Sequence, residues 1–550
     1  MSDSNEGLTE RPVSLHPDEA TFVSQQTADP IEDAVGGPTA ELSTTRAYSR
    51  NVLVSGLKMA VFAGSGVLLP AYLTHHLSSV AYGGWILILQ LASYINYLDL
   101  GMQTAIAKYI AQYAAAGDTD GCNRHASAGA TISCITGLLG ILLSVILAAS
   151  VHNIFKGIPP AMARDVSRGV LLVGASTAIL LAASPFASFF IGLQQYAVPT
   201  FLQIANKVLY AIVLVVMVAQ HRSLTLMGAA VAVLNVVTAI IQVVSWKVLL
   251  PRIEVRFDLV VYPIVKQMVV YCAVLGIWSS GMLIITGLDT TVVGHFDFAA
   301  TAFYAIAATP VTFLGMLQHA ALNPLMPAVS ALSVTRTPDH LGGLLTRSTR
   351  YITLILELSG LPLILFGALV LTILVGPLYT THSLVLMRIL LLASIVRNIC
   401  APYATMVVAT GRQKAATLSG ICEAVVNLST SLLLGKYYGA IGVAAGTLIG
   451  AVVGVLVHFL VSMPRTQDSI EVAPGRLFGR GLLPPLMAAI PTAVLLYLFW
   501  RPVLVPYTLL FMILWAVATV ALAWRPGLTQ SEHAALLSKL KQRMARSPAV

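Results

Sequence analysis

The chain is built from long apolar runs that alternate with short polar breaks, from about Arg50 to Trp524. There are about fourteen such runs, and each is near the roughly 20 residues that a helix needs to cross a bilayer. Polarity does not alternate within a run as it does in barrel strands, so the runs predict helices. We therefore predict an all-α polytopic membrane protein with these spans: 51–73, 83–101, 127–150, 168–192, 198–219, 224–247, 264–287, 299–330, 350–376, 384–410, 415–434, 438–461, 481–499 and 504–523.

Composition agrees with a membrane protein and excludes several enzyme classes. Hydrophobic residues make up 57% of the chain and charged residues only 10%, whereas soluble chains carry about a quarter charged residues. The five cysteines form no CxxC pair, which argues against a disulfide framework or a zinc site. There is no GxxxxGK[ST], HExxH or GxSxG motif. We therefore do not expect an enzyme, and we expect no cofactor, no metal and no nucleic-acid partner.

The charges are unevenly distributed and predict an orientation. Residues 1–45 hold nine acids and one base, whereas residues 46–550 hold fourteen acids and thirty-one bases. Most bases fall in breaks on the side that also carries the N-terminus, so the positive-inside rule predicts both termini in the cytoplasm. The break at 151–167, with Lys156 and Arg164, is an exception on the outer side.

The basic break at 248–263 divides the first twelve spans into two sets of six. Because six is an even number, both sets would insert in the same orientation, as parallel repeats do. We predict six regions: a disordered acidic cytoplasmic tail (1–47), an N-terminal lobe (48–247), a cytoplasmic inter-lobe linker (248–263), a C-terminal lobe (264–462), two extra spans (463–524) and a basic amphipathic cytoplasmic tail (525–550).

Three stretches carry a resemblance to a known family. They are "AYGGWILILQLASYINYLDLGMQTAIAKYIAQ" (Ala81–Gln112), "GLDTTVVGHFDFAATAFYAIAATP" (Gly287–Pro310) and "ATGRQKAATLSGICEAVVNLSTSLLLGKYYGAIGVAAGTLIG" (Ala409–Gly450). Their order and spacing resemble the polysaccharide-export (oligosaccharide flippase) branch of the multidrug/oligosaccharidyl-lipid/polysaccharide (MOP) transporter superfamily. The resemblance covers most of residues 48–462.

This resemblance implies a MATE-like fold in which two six-helix lobes surround a central cavity that opens alternately to each side. It also implies a flippase for polyprenyl-pyrophosphate-linked oligosaccharides, which serves the synthesis of surface polysaccharides such as O-antigen (lipopolysaccharide), capsule or exopolysaccharide. The expected partners are the lipid-linked oligosaccharide, membrane lipids, a polysaccharide polymerase and a chain-length regulator. The acidic N-terminal tail is not part of the family pattern.

Ionisable residues within the spans are candidate site residues, because a charge at the bilayer centre costs at least about 2.5–3.5 kcal/mol. Lys58 and Arg397 are hypothesised to face the cavity and bind the phosphate groups of the cargo. Gln203, Asn206 and Lys207 lie within about one helical turn and could bind sugar hydroxyls. The alternative for Lys58 is snorkelling to the inner interface, and the alternative for Gln203, Asn206 and Lys207 is polar helix–helix contact.

Three buried acids are candidates for ion coupling: Asp289, Glu357 and Glu423. Each could carry a proton or sodium ion, or could instead pair with a buried base, and Asp289 could also cap a helix. An unpaired ionised acid at such a depth is disfavoured. By contrast, Gly442, Gly446, Gly450 and Gly454 recur every four residues and predict a packing face.

Other functions remain open from the sequence. A cation-coupled multidrug exporter of the same superfold should have an acid-rich cavity, whereas the buried bases here rival the buried acids. A flippase for the peptidoglycan-precursor lipid would share the fold and the anionic head group. A membrane enzyme would need catalytic residues on a sizeable aqueous loop, and the predicted outer breaks are short.

Overall fold

The structure is a computed structural model that describes residues 38–498, 508–524 and Ser538. Most of the predicted acidic tail and nearly all of the predicted basic tail lie outside the described residues. The chain divides into two compact units, residues 1–57 and residues 58–550. In the first unit, the described residues form the beginning of a helix that starts at Pro38, earlier than the predicted start of the first span. The sections below concern the second unit.

All regular structure in the described part of the chain is helical. The α-helices are α1 (Pro38–His76), α2 (Ser79–Ser93), α3 (Met102–Ala115), α4 (Thr119–Ile154), α5 (Pro160–Gly192), α6 (Ala197–Ala219), α7 (Leu224–Leu249), α8 (Tyr262–Met282), α9 (Asp289–Phe296), α10 (Thr301–Leu322), α11 (Leu325–Thr335), α12 (Pro338–Val375), α13 (Pro377–Asn398), α14 (Ala401–Ala409), α15 (Gln413–Val457), α16 (Pro474–Arg476), α17 (Leu483–Ala488), α18 (Ile490–Leu498) and α19 (Thr508–Trp524). Short 3-10 segments cover Tyr94–Asp99, Phe257–Leu259, Phe298–Ala300 and Met463–Thr466, and π-helical turns cover Leu283–Gly287, His458–Ser462 and Leu477–Leu482.

The helices agree with the predicted spans. Among the described residues, nine helical segments are long and apolar enough to cross a membrane. One of these segments, Gln413–Thr466, contains two predicted spans, because Gly439 has φ +57° and ψ −137° and divides α15 into two helices. The other predicted spans coincide with shorter or broken helices. The all-α polytopic membrane fold is therefore confirmed.

Two predicted spans are broken in the structure. The segment at 264–287 is α-helical only to Met282, continues as a π-helical turn and restarts as α9 at Asp289. The long segment at 299–330 ends as α10 at Leu322, and α11 follows after Asn323 and Pro324. A proline has no backbone N–H and clashes with the preceding turn, so Pro324 fits a helix boundary.

The two predicted six-helix sets pack against each other through α2, α9 and α10. Their contacts form the largest apolar cluster, which includes the fully buried side chains of Trp85, Val293 and Tyr304. The ring of Tyr82 meets that of Tyr379 edge to face, with centroids 6.2 Å apart. Because lipid tails are as apolar as these side chains, such contacts stabilise the fold by close packing rather than by removal of water.

The glycine stripe packs the two helices of α15 together, as its four-residue period predicted. An added Cβ atom at Gly450 would lie 2.7 Å from Cβ of Asn427, and one at Gly454 would lie 2.7 Å from Oε2 of Glu423. Each glycine therefore leaves room for a polar side chain of the facing helix. The stripe brings the backbone close to Glu423, which is one of the candidate site residues.

Candidate functional site

A cavity of about 260 Å³ lies among the helices of the first set. Helices α2, α5, α6 and α7 and the 3-10 segment after α2 contribute its walls. The polar wall residues are hydroxyls, amides and one amine, and none of the described lining residues is acidic. The lining residues are Leu89, Ala92, Ser93, Asn96, Val173, Thr177, Asn206, Lys207, Tyr210, Val231 and Asn235.

Two lysines meet at one aromatic ring beside this cavity. Lys207 lies near the middle of α6, and its Nζ is 5.6 Å from the ring centroid of Phe62. Lys58 is one turn before Phe62 on α1, and its Nζ is 5.7 Å from the same centroid. Lys207 is also 5.2 Å from the ring centroid of Tyr210. Aromatic faces stabilise ammonium groups electrostatically, so the ring of Phe62 stabilises both lysine side chains.

Hydrogen bonds position the amides of the cavity. Asn206 donates from Nδ2 to Oγ1 of Thr238 at 2.7 Å. Asn235 donates from Nδ2 to Oγ of Ser176 at 3.1 Å. An amide group has two N–H donors and an acceptor oxygen. Each side chain therefore retains hydrogen-bonding capacity after its orientation has been fixed.

A second polar cluster lies in the second set of helices. Arg397 at the end of α13 forms an ion pair through Nε with Oε1 of Glu423 on α15, and both side chains are largely buried. Asp289 at the start of α9 accepts hydrogen bonds from Oγ1 of Thr447 at 2.9 Å and from the hydroxyl of Tyr304 at 3.2 Å.

Glu357 lies apart from these partners on α12. Its side chain is buried, with 2% exposure, and its Oε2 atom has no hydrogen-bond partner among the described residues. A carboxylate oxygen that is buried without a hydrogen-bond partner is costly in such surroundings. A role of Glu357 in ion coupling stays a prediction.

The structure therefore sorts the predicted site residues into groups. Lys207 and Asn206 line the cavity, and Lys58 shares the ring of Phe62 with Lys207. Gln203 is exposed and, like Lys58, is not among the lining residues. Arg397 does not line that cavity and is instead paired with Glu423. Among the described residues there is no group of three or more His, Cys, Asp or Glu side chains that could hold a metal ion.

Sequence reasoning missed several residues of both clusters. Phe62 carries no charge, so the sequence does not mark it as a site residue. Its spacing of four residues from Lys58 nevertheless places both side chains on one helix face. Asn427 lies four residues after Glu423 and could have been found by the same rule. Asn235 and Thr447 come from other helices, and their positions depend on tertiary packing.

No protein-family model matches the sequence, and no curated protein matches it significantly. Solved structures do match its fold. One is "Lipid II flippase MurJ, inward closed conformation", with a TM-score of 0.68, 13% identity, and coverage of 86% of this chain and 97% of that chain. Another is a multidrug resistance MATE family transporter of the MOP superfamily in its inward-facing conformation. It has a TM-score of 0.61, 14% identity, and coverage of 73% of this chain and 94% of that chain.

The structural neighbours are MOP-superfamily transporters. The shared fold covers most of this chain and nearly all of both neighbours. At these low identities the likeness concerns the fold, since the same fold can support different functions. Any proposal about a substrate therefore rests on the side chains of this protein.

Proposed function

We propose that the protein is a flippase that moves polyprenyl-pyrophosphate-linked oligosaccharide units across the cytoplasmic membrane during surface polysaccharide synthesis. The single observation that supports this most strongly is the pairing of Lys58 and Lys207 at Phe62, beside a cavity without a described acidic wall residue. Two ammonium groups in a partly apolar setting attract a pyrophosphate strongly, because Coulomb interactions grow as the effective dielectric constant falls.

The rest of the cavity wall suits the sugar part of such a cargo. Asn206 and Asn235 are held by hydrogen bonds at one N–H each, which leaves oxygen and nitrogen atoms for sugar hydroxyls. Hydroxyl groups of Ser93 and Thr177 add further donors and acceptors. The lipid tail would stay in the bilayer while the polar head group moves through the protein.

A flippase for the peptidoglycan-precursor lipid is the second candidate, and the fold neighbour described as a lipid II flippase favours it. It shares an anionic, sugar-bearing head group with the first candidate, so the lysine pair fits both. The two candidates differ in the glycan, and a comparison of both lipids in one assay separates them.

A cation-coupled multidrug exporter is less well supported. A cationic drug needs free carboxylates in its cavity, whereas Glu423 is paired with Arg397, and Asp289 is bound by Tyr304 and Thr447. We propose that these acids and Glu357 serve ion coupling instead. We also propose an inner-membrane location with both termini in the cytoplasm, and a polymerase and chain-length regulator as partners.

The test is transport of a fluorescent polyprenyl-pyrophosphate-linked oligosaccharide in proteoliposomes, alongside a peptidoglycan-precursor lipid and a cationic dye. We expect movement of the lipid-linked oligosaccharide and a loss of that movement in Lys207→Gln. Lys156→Gln removes the same charge at an exposed position and should leave transport unchanged. Transport of the cationic dye alone, or equal effects of both variants, would contradict the proposal.

A further inference from the structure

The seventh predicted span ends in a break, where backbone carbonyls bond to side chains of other helices. Here the break segment is defined as Leu283–Thr291. It contains the π-helical turn Leu283–Gly287, Leu288 and the beginning of α9. A π-helical turn and a helix restart remove regular hydrogen bonds from backbone carbonyls. Within a membrane, such carbonyls need other partners, because water and lipid do not supply them.

The first set of helices supplies partners on one side of the break segment. The carbonyl of Gly287 accepts a hydrogen bond from Nε2 of Gln90 at 2.7 Å and another from the hydroxyl of Tyr94 at 3.0 Å. The Tyr94 hydroxyl also forms a hydrogen bond with the hydroxyl of Thr291. Gln90 and Tyr94 are four residues apart and lie on one helical face. Three hydrogen bonds thus connect this face to the break segment.

The second set of helices holds the same segment from another direction. The carbonyl of Ile285 accepts a hydrogen bond from Nδ2 of Asn427 at 2.8 Å. The Oδ1 atom of Asn427 in turn accepts from the hydroxyl of Ser431 at 3.0 Å. Asp289 is bound by Thr447 and Tyr304, as described above. The break segment is therefore bound by both helix sets within a few residues.

We propose that the break segment is a conformational latch, in which Gln90 and Tyr94 couple the contact between the two helix sets to the polar cluster around Asp289. Separation of the sets along α2 and α9 would remove both donors from the Gly287 carbonyl. That carbonyl could regain a partner if the π-helical turn rewound into a regular helix. Rewinding would displace the neighbouring Ile285 carbonyl and Asp289, which the second set holds.

The latch would couple the buried acidic cluster of the second set to the position of the first set. A change in the protonation of Asp289 would alter its hydrogen bonds to Thr447 and Tyr304. The break segment would then move, and its bonds to Gln90 and Tyr94 would change. This inference deepens the proposed function, and it rests on the alternating movement of the two sets rather than on the identity of the cargo. It assigns a positioning role to residues that touch no cargo.

The test measures distances between the two sets in the full chain in lipid nanodiscs, without any cargo. Spin labels at Asn153→Cys and Lys436→Cys suit this purpose, since both positions are exposed and lie on different sets. The native cysteines are replaced first. Loss of the three latch hydrogen bonds in Gln90→Leu/Tyr94→Phe should raise the ratio of separated to closed molecules about tenfold or more.

Two further variants make the result specific. Thr291→Val removes the hydroxyl that bonds to Tyr94. The shift in the distance distribution of Tyr94→Phe/Thr291→Val should therefore be smaller than the sum of the two single shifts. Tyr262→Phe removes a phenol hydroxyl at an exposed position outside the latch and should leave the distances unchanged. Wild-type distances in the double variant, or equal shifts in the Tyr262→Phe control, would overturn the proposal. Because no cargo is present, its failure is distinguishable from a failure of the proposed function.

Discussion

The ion pair between Arg397 and Glu423 gives a prediction about stability that depends only on the fold. Glu423→Gln keeps the shape of the side chain and removes its charge. The guanidinium then stays largely buried, with side-chain exposure of 18%, and its Nη2 atom already has no hydrogen-bond partner among the described residues. Breaking a buried ion pair on one side costs about 3–5 kcal/mol. Partial exposure of the pair places the expected loss at the lower end, about 3 kcal/mol.

This loss can be converted into a shift of the unfolding temperature. An unfolding entropy of about 2.1 cal/mol/K per residue predicts a decrease of about 3 °C for a chain of this length. Helical membrane proteins keep part of their helices when they unfold, so the entropy is smaller and about 3 °C is a lower bound. The assay is thermal unfolding of the purified protein in detergent, followed by the fluorescence of its tryptophans.

The double variant Arg397→Met/Glu423→Gln is the matched control for this reasoning. Removing both charges leaves no unpaired ion, and such replacements of buried pairs are often neutral or stabilising. We therefore expect the double variant to unfold closer to the wild-type temperature than either single variant does. A single Glu423→Gln variant with wild-type stability, or a double variant less stable than both singles, would refute the account.

Three further predictions concern other parts of the molecule. Lys207→Gln should weaken binding of a polyprenyl pyrophosphate about tenfold, measured by fluorescence titration in detergent, because one of two cations at the cavity is lost. Gly450→Ala should lower the free energy of unfolding by about 1–3 kcal/mol, because the new methyl group would meet Asn427, whereas an unchanged unfolding midpoint would contradict this packing. Trp515→Phe should cost about 1–3 kcal/mol in the same assay, since it removes the 2.6 Å hydrogen bond from Nε1 to Thr492 within a buried contact.

The helical membrane fold could be predicted from the sequence because the lipid imposes strong local constraints. An apolar run of about 20 residues has few alternatives to a helix. The glycine period of α15 likewise predicts a face for close packing, and the structure places Asn427 and Glu423 there. The break at Leu283–Gly287 was not predictable in this way, because the run continues in composition and its carbonyls find partners only through tertiary contacts.

The site residues were predictable as types but not as groups. Burial of a charge within a span marks Lys58, Lys207 and Arg397 as unusual in any membrane protein. Their neighbours depend on which helices pack together. A run that is apolar on every side does not show which face of the helix points towards a given neighbour. The sequence therefore could not show that Lys58 and Lys207 share the ring of Phe62, or that Arg397 pairs with Glu423.

The central claim is that the cargo is an anionic lipid-linked oligosaccharide. The most direct measurement is the rate at which the purified protein moves a fluorescent polyprenyl-pyrophosphate-linked oligosaccharide between the leaflets of proteoliposomes, compared with the same lipid carrying no phosphate. The account predicts rapid movement of the pyrophosphate-linked lipid, with a strong decrease in Lys58→Gln/Lys207→Gln. Equal movement of both lipids, or no effect of the double variant, would contradict it.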